Sequence, residues 1–367
     1  MIIWFVVPAL FFWFIGFWIL FRILVCKRYA GSKLFEKKVS VIIPARNEED
    51  NLPRLLATLA NHDGSIREII VVDDHSDDNT QSAAVTNGAR VIISKQLPDG
   101  WQGKSWACQQ GAEAAQGDIF VFLDADTFCE TEGFEKLIES FAAQDGVLSV
   151  NPYHRMKRAY EAFSAFFAIM QMVGIRSFSF GRNREPAGMF GPCLVISRQD
   201  YETCGGHESV KSEILEHYAL YKQLHKHNIP VRLYGGRESI QVRLYPHGFR
   251  ELIRGWSKSF AAGANNTPRE VMRLASMWIS GLCMVPCILV GMFFFGSLAE
   301  LIAAGALYVL YVLQIIIHLR RLGNFPLWAS VAYPIPLFFF LCVFALAQWR
   351  LKQKGEVAWK GRNIKVP

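Results

Sequence analysis

Residues 2–21 carry no charged side chain, and neither do 274–299, 301–317 or 322–349. No other feature restricts the chain as much, because about 20 consecutive apolar residues suffice to cross a bilayer core as a helix. Composition agrees. Of the 367 residues 51% are hydrophobic and only 19% are charged, the balance of a membrane protein that also carries one soluble domain. The first apolar run has no positive charge before it, whereas Arg22, Lys27, Arg28, Lys33, Lys37 and Lys38 follow it. A cleaved signal peptide shows the opposite order. We therefore expect an uncleaved anchor over 1–25, with its N-terminus outside and the following domain in the cytoplasm of a multi-pass protein of the cell membrane.

The three later runs are expected to form a C-terminal transmembrane module over 274–349, followed by a basic tail over 350–367. Charge parity leaves their arrangement open. Arg320 and Arg321 should lie inside, and so should the tail with Arg350, Lys352, Lys354, Lys360, Arg362 and Lys365, yet one span separates them. Either the last run, interrupted by Pro334 and Pro336, is re-entrant, or one basic cluster lies outside.

Net charge is +7. Its excess sits beside the apolar runs, which points to membrane topology and away from nucleic acid. The eight cysteines form no CxxC pair, so a thiolate metal site is not expected and a reducing compartment is.

Over 39–246 the pattern changes. VSVIIPA (39–45), EIIVVDD (68–74), ARVII (89–93) and DIFVFLD (118–124) read as strands, and 48–61, 77–88 and 104–116 between them as helices. Strands joined by crossover helices imply an α/β domain with a mostly parallel sheet and a ligand at the strand C-terminal ends. Asp73, Asp74, Asp124 and Asp126 fall at those ends. Two further segments look interfacial. In 247–265, Phe249, Leu252, Ile253, Trp256 and Phe260 share one helical face and Arg250, Arg254 and Lys258 another, as in a helix lying in the headgroup plane. Residues 159–180 are apolar but include Glu161 and Arg176, which favours a helix at the membrane surface over a span.

Asp124-Ala125-Asp126 ends an apolar strand. Two carboxylates there can hold a divalent cation that bridges phosphate oxygens. Alone, such a triplet is more often a solvated turn, and its meaning comes from its company: PARNEE (44–49), VVDDHSDDNT (71–80) and GKSWACQQGA (103–112). Gly103-Lys104-Ser105 is not a Walker loop, since Pro98 stands where the first glycine belongs, but Lys104 can serve a diphosphate at a helix start. Asp73, Asp77 and Asp78 read as turn and cap residues, Gly205-Gly206 as a helix-ending turn, and His207 as a structural histidine or an extra metal ligand.

The order PARNEE, VDDHSDD, GKSWA, FLDAD, GGHES (205–209) and ILEHYAL (214–220) resembles the family-2 inverting glycosyltransferases with a GT-A fold. LSVNPYH (148–154), AYEAFSAF (159–166), FGP (190–192), GFRELIRGWSK (248–258) and VAWKGR (357–362) are similar, more narrowly, to the bacterial 4,4'-diaponeurosporenoate glycosyltransferases. The resemblance runs over nearly the whole chain. It implies a nucleotide-sugar site in which Pro44, Ala45, Arg46 and Glu48 line the nucleoside pocket and Asp74 pairs with uracil. Lys104, Arg254 and Trp256 would belong to the same donor site, although Arg250 and Arg254 suit lipid phosphates as well as donor phosphate. Asp124 and Asp126 would meet the ribose and a Mg²⁺ or Mn²⁺ ion, with Asp126 the direct ligand. Glu216 falls where the family has an acidic pair containing the catalytic base, but His217 replaces the second acid. Arg254-Gly255-Trp256 stands where processive synthases have QxxRW, which argues against a polymer synthase.

The chemistry runs the same way. Breaking a glycosyl–phosphate bond builds charge on the leaving diphosphate, which a metal and a lysine stabilise. A hydroxyl acceptor needs a base. A carboxylic acid, which ordinarily loses its proton at a pH of about 4, arrives already ionised and needs orientation instead. The reading is therefore a hexosyltransferase using a UDP-sugar, UDP-glucose in particular, and a membrane lipid or carotenoid carboxylate as acceptor. The rivals are transfer to a hopanoid, glycerolipid or polyprenyl phosphate, and a nucleotide-binding membrane scaffold without transfer. A transporter fits poorly, since no apolar run carries a charged pair deep inside it.

Overall fold

Apolar β-branched runs alternating with helix-forming segments become strand–helix–strand crossovers in the computed structural model. It describes residues 3–29, 37–60, 66–181, 185–213, 215–263, 267–354, 356–359 and 362–365. Lys33, Ile214, Lys360 and the last two residues of the basic tail lie outside them.

The elements in chain order begin with α1 (Ile3–Ile19), β1 (Val39–Ala45), α2 (Leu52–Leu59), β2 (Ile66–Asp73), α3 (Thr80–Thr86) and β3 (Arg90–Ile93). Next come α4 (Gly103–Ala114), β4 (Ile119–Leu123), β5 (Thr127–Cys129), α5 (Gly133–Ala142), β6 (Val147–Asn151), β7 (Tyr153–His154) and α6 (Ala165–Gly174). β8 (Cys193–Ser197), α7 (Arg198–Thr203), α8 (Glu216–Lys226), β9 (Val231–Gly235) and β10 (Ile240–Val242) follow. The chain closes with α9 (Phe249–Gly263), α10 (Arg269–Phe295), α11 (Leu298–Leu322), α12 (Trp328–Val331), α13 (Pro334–Lys354) and the antiparallel pair β11 (Glu356–Trp359) and β12 (Arg362–Lys365). They fall into two units. One comprises 24–155 and 188–244; the other comprises 1–23, 156–187 and 245–367. The expected single domain over 39–246 is thus interrupted. Residues 156–187 belong with the apolar helices, because their all-round apolar surface finds its burial there.

In the α/β unit, seven strands form a sheet in the order β3-β2-β1-β4-β8-β6-β9. β1 lies parallel to β2 and β4, β2 to β3 and β6 to β9, while β8 runs antiparallel to both neighbours. The expected mostly parallel sheet is present. From β1 the chain winds outward to β2 and β3, then returns to the other side of β1 as β4. Strand order therefore reverses between β1 and β4, and in open α/β sheets the ligand crevice opens outside the strand C-termini at such a point. β1 and β4 are covered on both faces, as their continuous apolar runs require; Val41 and Val121 are buried on one face, Ile42 and Phe122 on the other. Helix α4 approaches this centre closely because Gly111 has no side chain, and a Cβ there would lie 2.4 Å from Ile42 Cγ2. That approach brings the N-terminus of α4, with Lys104, over the strand ends.

In the other unit, α10 and α11 are long and apolar enough to cross a membrane, whereas α1 and the apolar part of α13 are shorter. At 1.5 Å per residue the 17 residues of α1 span about 25 Å, somewhat less than a bilayer core. Helix α1 packs on α10 and α11 through small residues and side-chain hydrogen bonds, the devices that hold helices together in lipid. Gly16 faces Trp278 and Gln314, and Gly281 faces Tyr311 and Phe12, each too closely for a Cβ. Trp13 Nε1 donates to Leu310 O at 3.0 Å, Tyr311 Oη to Ala9 O at 2.7 Å, and Gln314 Nε2 to Trp13 O at 2.7 Å. The third apolar run is not one helix: α12 ends at Val331, and Pro334 and Pro336 lie in the first turn of α13, where a missing N–H costs nothing.

The two charges of 159–180 are both engaged. Glu161 accepts the Lys157 amide at 2.6 Å, and Arg176 pairs with Glu270 at 3.0 Å. Helix α6 is buried almost throughout, and its ten residues cover only about 15 Å. Its apolar side chains are packed inside this unit.

Candidate active site

The two loops at the C-terminal ends of β1 and β2 are laced together by side chains. Asp74 N donates to Ala45 O at 2.8 Å, which continues the strand pairing by one residue. Beyond it, Asn47 N donates to Ser76 Oγ at 2.9 Å and Glu48 N to Thr80 Oγ1 at 2.8 Å. Asn47 and His75 adopt positive φ of 53° each, the left-handed conformation a sharp exit from a strand demands. Asp73 is buried, takes the Ser76 hydroxyl, and accepts from Gln81 Nε2 at 2.8 Å. Asp78 takes the Thr80 hydroxyl and the Glu49 amide. Both hold the loop. Asp74 is buried too, with Arg46 Nη1 at 3.7 Å from its Oδ2 and 3.3 Å from its carbonyl. Pro44, Ala45, Arg46, Glu48 and Asp74 thus come together along one edge of the crevice.

At the other edge, β4 ends at Leu123 and Asp124 follows, its amide donating to Pro192 O at 2.9 Å. Lys104, on the first turn of α4, reaches across with Nζ 2.6 Å from Asp124 Oδ1 and 3.2 Å from Glu216 Oε1. Glu216 is the first residue of α8, where the helix dipole favours a carboxylate. Asp124, Lys104 and Glu216, far apart in the chain, form one chain of charges on a pocket wall. Burial works against the Lys104 ammonium, but Asp124 and Glu216 together outweigh it and hold its pKa above the ordinary lysine range. Burial alone would raise the Glu216 carboxyl; Lys104, with the His217 ring beside it, outweighs that and holds the group well below the usual carboxylate range. His217 Nδ1 lies 3.8 Å from Glu216 Oε1.

Other lining residues escape a reading of the sequence. Cys108, Phe122, Met189, Gly191 and Leu220 share the pocket with Lys104, Asp124, His207, Glu216 and His217. Cys108 lies one turn beyond Lys104 on α4, so helical spacing alone could have found it. Gly191 admits His217, since a Cβ there would lie 3.0 Å from its Nδ1. Asp126 is half-buried just before β5. Among the described residues no group of three or more His, Cys, Asp or Glu side chains gathers as a metal site. A magnesium-type ion takes only one or two protein carboxylates and completes its shell with water and phosphate oxygens; of the two expected carboxylates, Asp124 is paired with Lys104.

Two expected donor-site residues belong to the unit of apolar helices. Trp256 is buried there, stacked on Phe167 at 4.9 Å with its indole N–H donated to Ser164 at 2.9 Å. On the apolar face of α9 it is packed within that unit. Arg254, on the polar face of the same helix, is exposed.

Residues 40–205 match the family model described as Glycosyl transferase family 2. The chain is 35% identical over 351 residues to a 4,4'-diaponeurosporenoate glycosyltransferase of Staphylococcus aureus (strain USA300), covering 90% of this chain and 89% of that protein. It is 34% identical over the same span to the protein of that name from strain MRSA252. Among solved structures it is similar to a mannosyltransferase from Pyrobaculum calidifontis in complex with GDP-Man and Mn²⁺. The TM-score is 0.52 at 16% identity, with 95% of this chain and 96% of that chain covered. A likeness at that identity speaks for the fold, here the GT-A arrangement of a mostly parallel α/β sheet.

Proposed function

The chain belongs to glycosyl transferase family 2, and from that premise we propose that this glycosyltransferase moves glucose from UDP-glucose, with inversion, to a membrane-dissolved carotenoid carboxylate such as 4,4'-diaponeurosporenoate. The product is a glycosyl ester. In the transfer an acceptor carboxylate oxygen bonds to the anomeric carbon as the bond from that carbon to the diphosphate breaks. UDP departs with the electron pair, and no proton changes hands.

The observation that carries this reading is the placement of Lys104 between Asp124 and Glu216 at the switch point. A base suited to a hydroxyl needs a pKa near the working pH. Glu216 is held far from that by its lysine, so it is a poor proton acceptor. An ionised nucleophile needs none. Lys104 also offsets the repulsion that a bare Glu216 would exert on an incoming carboxylate. The name of the 35% identical relative supports the same acceptor class.

Pro44, Ala45, Arg46, Glu48 and Asp74 are proposed to hold the nucleoside, with Asp74 facing the uracil. Asp126, with Asp124 beside it, would hold Mg²⁺ or Mn²⁺, which supplies charge neutralisation to the departing diphosphate. The apolar helices are proposed to seat the protein in the cell membrane as a multi-pass chain, with the α/β unit on the cytoplasmic side. The basic residues after α1 support that orientation.

The test incubates purified enzyme with UDP-glucose, other nucleotide sugars, 4,4'-diaponeurosporenoate and extracted membrane lipids, and identifies products by mass. A glucosyl ester of the carotenoid acid, formed from UDP-glucose in preference to the others, is the expected result. Product formed on a different lipid would replace the acceptor assignment.

A further inference from the structure

His207 lines the same pocket, and its environment determines which of its nitrogens carries the hydrogen. The chain reaches it through a forced reversal. Gly205 and Gly206 follow α7 with φ of 78° and 51°, and a Cβ on Gly206 would lie 2.5 Å from the Tyr201 ring. The reversal sets His207 back against that tyrosine. Tyr201 Oη lies 2.9 Å from His207 Nδ1, accepts the His207 main-chain N–H at 3.1 Å, and donates to Gln109 Oε1 at 3.2 Å.

The direction of this relay follows from its far end. Glu113 presents a carboxylate, which only accepts, and takes Gln109 Nε2 at 2.9 Å. The amide is thereby oriented with Oε1 towards Tyr201, and that oxygen also only accepts. The single hydroxyl hydrogen of Tyr201 is therefore spent on Gln109. For the 2.9 Å contact to be a hydrogen bond as well, His207 must supply the hydrogen from Nδ1. Every group in the chain Glu113–Gln109–Tyr201–His207 is then satisfied. The opposite tautomer leaves Gln109 Oε1 and His207 Nδ1 in competition for one hydrogen. Burial pushes the ring down to about 4, so at neutral pH it carries only that one hydrogen. Nε2 is left as a bare lone pair, engaged by no hydrogen bond among the described residues.

We propose that His207 Nε2 is a hydrogen-bond acceptor for a hydroxyl of the transferred hexose, with Tyr201 and Gln109 as the positioning residues that fix its tautomer. This rests on the transferase reading above. A bare lone pair can be satisfied only by a donor. The diphosphate has no hydrogen to give, and a carboxylate acceptor has none either; the nucleoside, whose ribose hydroxyls and uracil N–H also donate, is assigned above to the other edge of the crevice with Asp74. Hydroxyls of the hexose remain, and the other walls suit a sugar: Phe122 offers an apolar face, its ring 4.9 Å from that of His207, while Asp124, Lys104 and Glu216 offer polar partners.

The experiment uses the full-length enzyme in detergent. Calorimetric titration with UDP and with UDP-glucose separates the hexose contribution from that of the nucleotide. His207→Phe should leave the UDP affinity unchanged and weaken UDP-glucose by about tenfold, the upper range for one lost neutral hydrogen bond. Against wild type, one of a series of monodeoxy UDP-glucoses should show the same loss, and that analogue should lose nothing further in His207→Phe. Tyr201→Phe, which leaves the pocket wall intact, should give a smaller loss of the same kind. Nitrogen NMR of histidine-labelled wild-type enzyme should show a protonated Nδ1 and an unprotonated Nε2 for this residue. A protonated Nε2 would overturn the proposal without any substitution. So would equal weakening of UDP and UDP-glucose in His207→Phe, or a deoxy series in which no analogue is coupled to His207. If wild-type enzyme binds UDP-glucose no more tightly than it binds a nucleotide lacking uracil, the donor reading itself fails and the inference falls with it.

Discussion

Lys104 Nζ lies 2.6 Å from Asp124 Oδ1 and keeps its second contact, 3.2 Å, for Glu216 Oε1. One ammonium thus serves two carboxylates that would otherwise repel each other across the pocket. Removing it should damage both chemistry and stability. Lys104→Met is expected to slow transfer on the order of 10²-fold, the usual worth of one preorganised electrostatic contact, in assays with saturating UDP-glucose. Stability should fall by roughly 2 kcal/mol, less than for a fully buried pair because Lys104 remains 24% exposed.

The same pair sets a pH signature. The Glu216 carboxyl is held well below its ordinary range in the folded protein. Its contribution to stability is therefore fully present above the ordinary carboxylate pKa and is lost progressively as the pH falls from there through the lowered folded value. Wild-type enzyme should show no loss from this group between pH 7 and pH 5. In Lys104→Met, burial is left to push the carboxyl upward, and the folded state then favours its protonated form. The stability deficit of the variant should shrink as the pH falls from 7 towards 5. Thermal melts of both proteins at the two pH values measure it; a deficit that grows on acidification would contradict the assignment of Lys104 as the controlling charge.

Divalent metal is the next expectation. Asp126 sits half-buried beside the end of β4, and Asp124 is already engaged by Lys104. Asp126→Asn should abolish transfer while leaving the melting curve close to wild type, and chelator should silence the wild-type enzyme until Mg²⁺ or Mn²⁺ is restored. Full activity of Asp126→Asn in chelator would remove the metal from the reaction.

Asp74 is buried at the end of β2 with Arg46 against it, at the crevice edge proposed to hold the nucleoside. Asp74→Ala should weaken UDP binding by about 1–3 kcal/mol, typical of a lost hydrogen bond to a charged group, as read by calorimetry. An unchanged affinity would make it a loop-holding residue, as Asp73 and Asp78 are.

Much of this fold is legible in the residues alone. Short apolar β-branched runs locate β1, β2, β3 and β4 to within two residues, most plainly for the central strands β1 and β4, since buried parallel strands read as uninterrupted apolar runs. Asp124 and Lys104 stand out because a strand end and a helix start are where an α/β fold presents its ligand groups. What stays hidden depends on contacts distant in sequence. No local pattern shows that Lys104 bridges to Glu216, more than a hundred residues on, or that Gly191 makes room for His217. Trp256 is of the same kind: an apolar helix face looks alike whether it meets a ligand or Phe167. Residues 156–187 interrupt the α/β unit, and only their burial among apolar helices reveals it.

The acidic position at the start of α8 bears on the mechanism itself. Glu216 stands alone with His217 after it, and its lysine keeps it ionised. If the acceptor were a hydroxyl, Glu216 would have to take its proton, and Glu216→Gln should cost on the order of 10²–10⁴ in rate. If the acceptor is a carboxylate, the nucleophile arrives ionised and the loss should be much smaller. Some loss is still expected, because Lys104 would then be shared with Asp124 alone and its position would relax. The proposed function therefore predicts a loss of about tenfold or less in Glu216→Gln, since no proton-transfer step is removed. It also predicts a rate that shows no dependence on a group ionising near pH 7. The product offers an independent check: an ester is cleaved by mild alkali, whereas a glycosidic ether survives it. Recovery of free carotenoid acid and glucose after alkali, together with the modest loss in Glu216→Gln, is the expected pair of results. An alkali-stable product accompanied by a loss on the order of 10²-fold or more would make Glu216 the general base and the acceptor a hydroxyl.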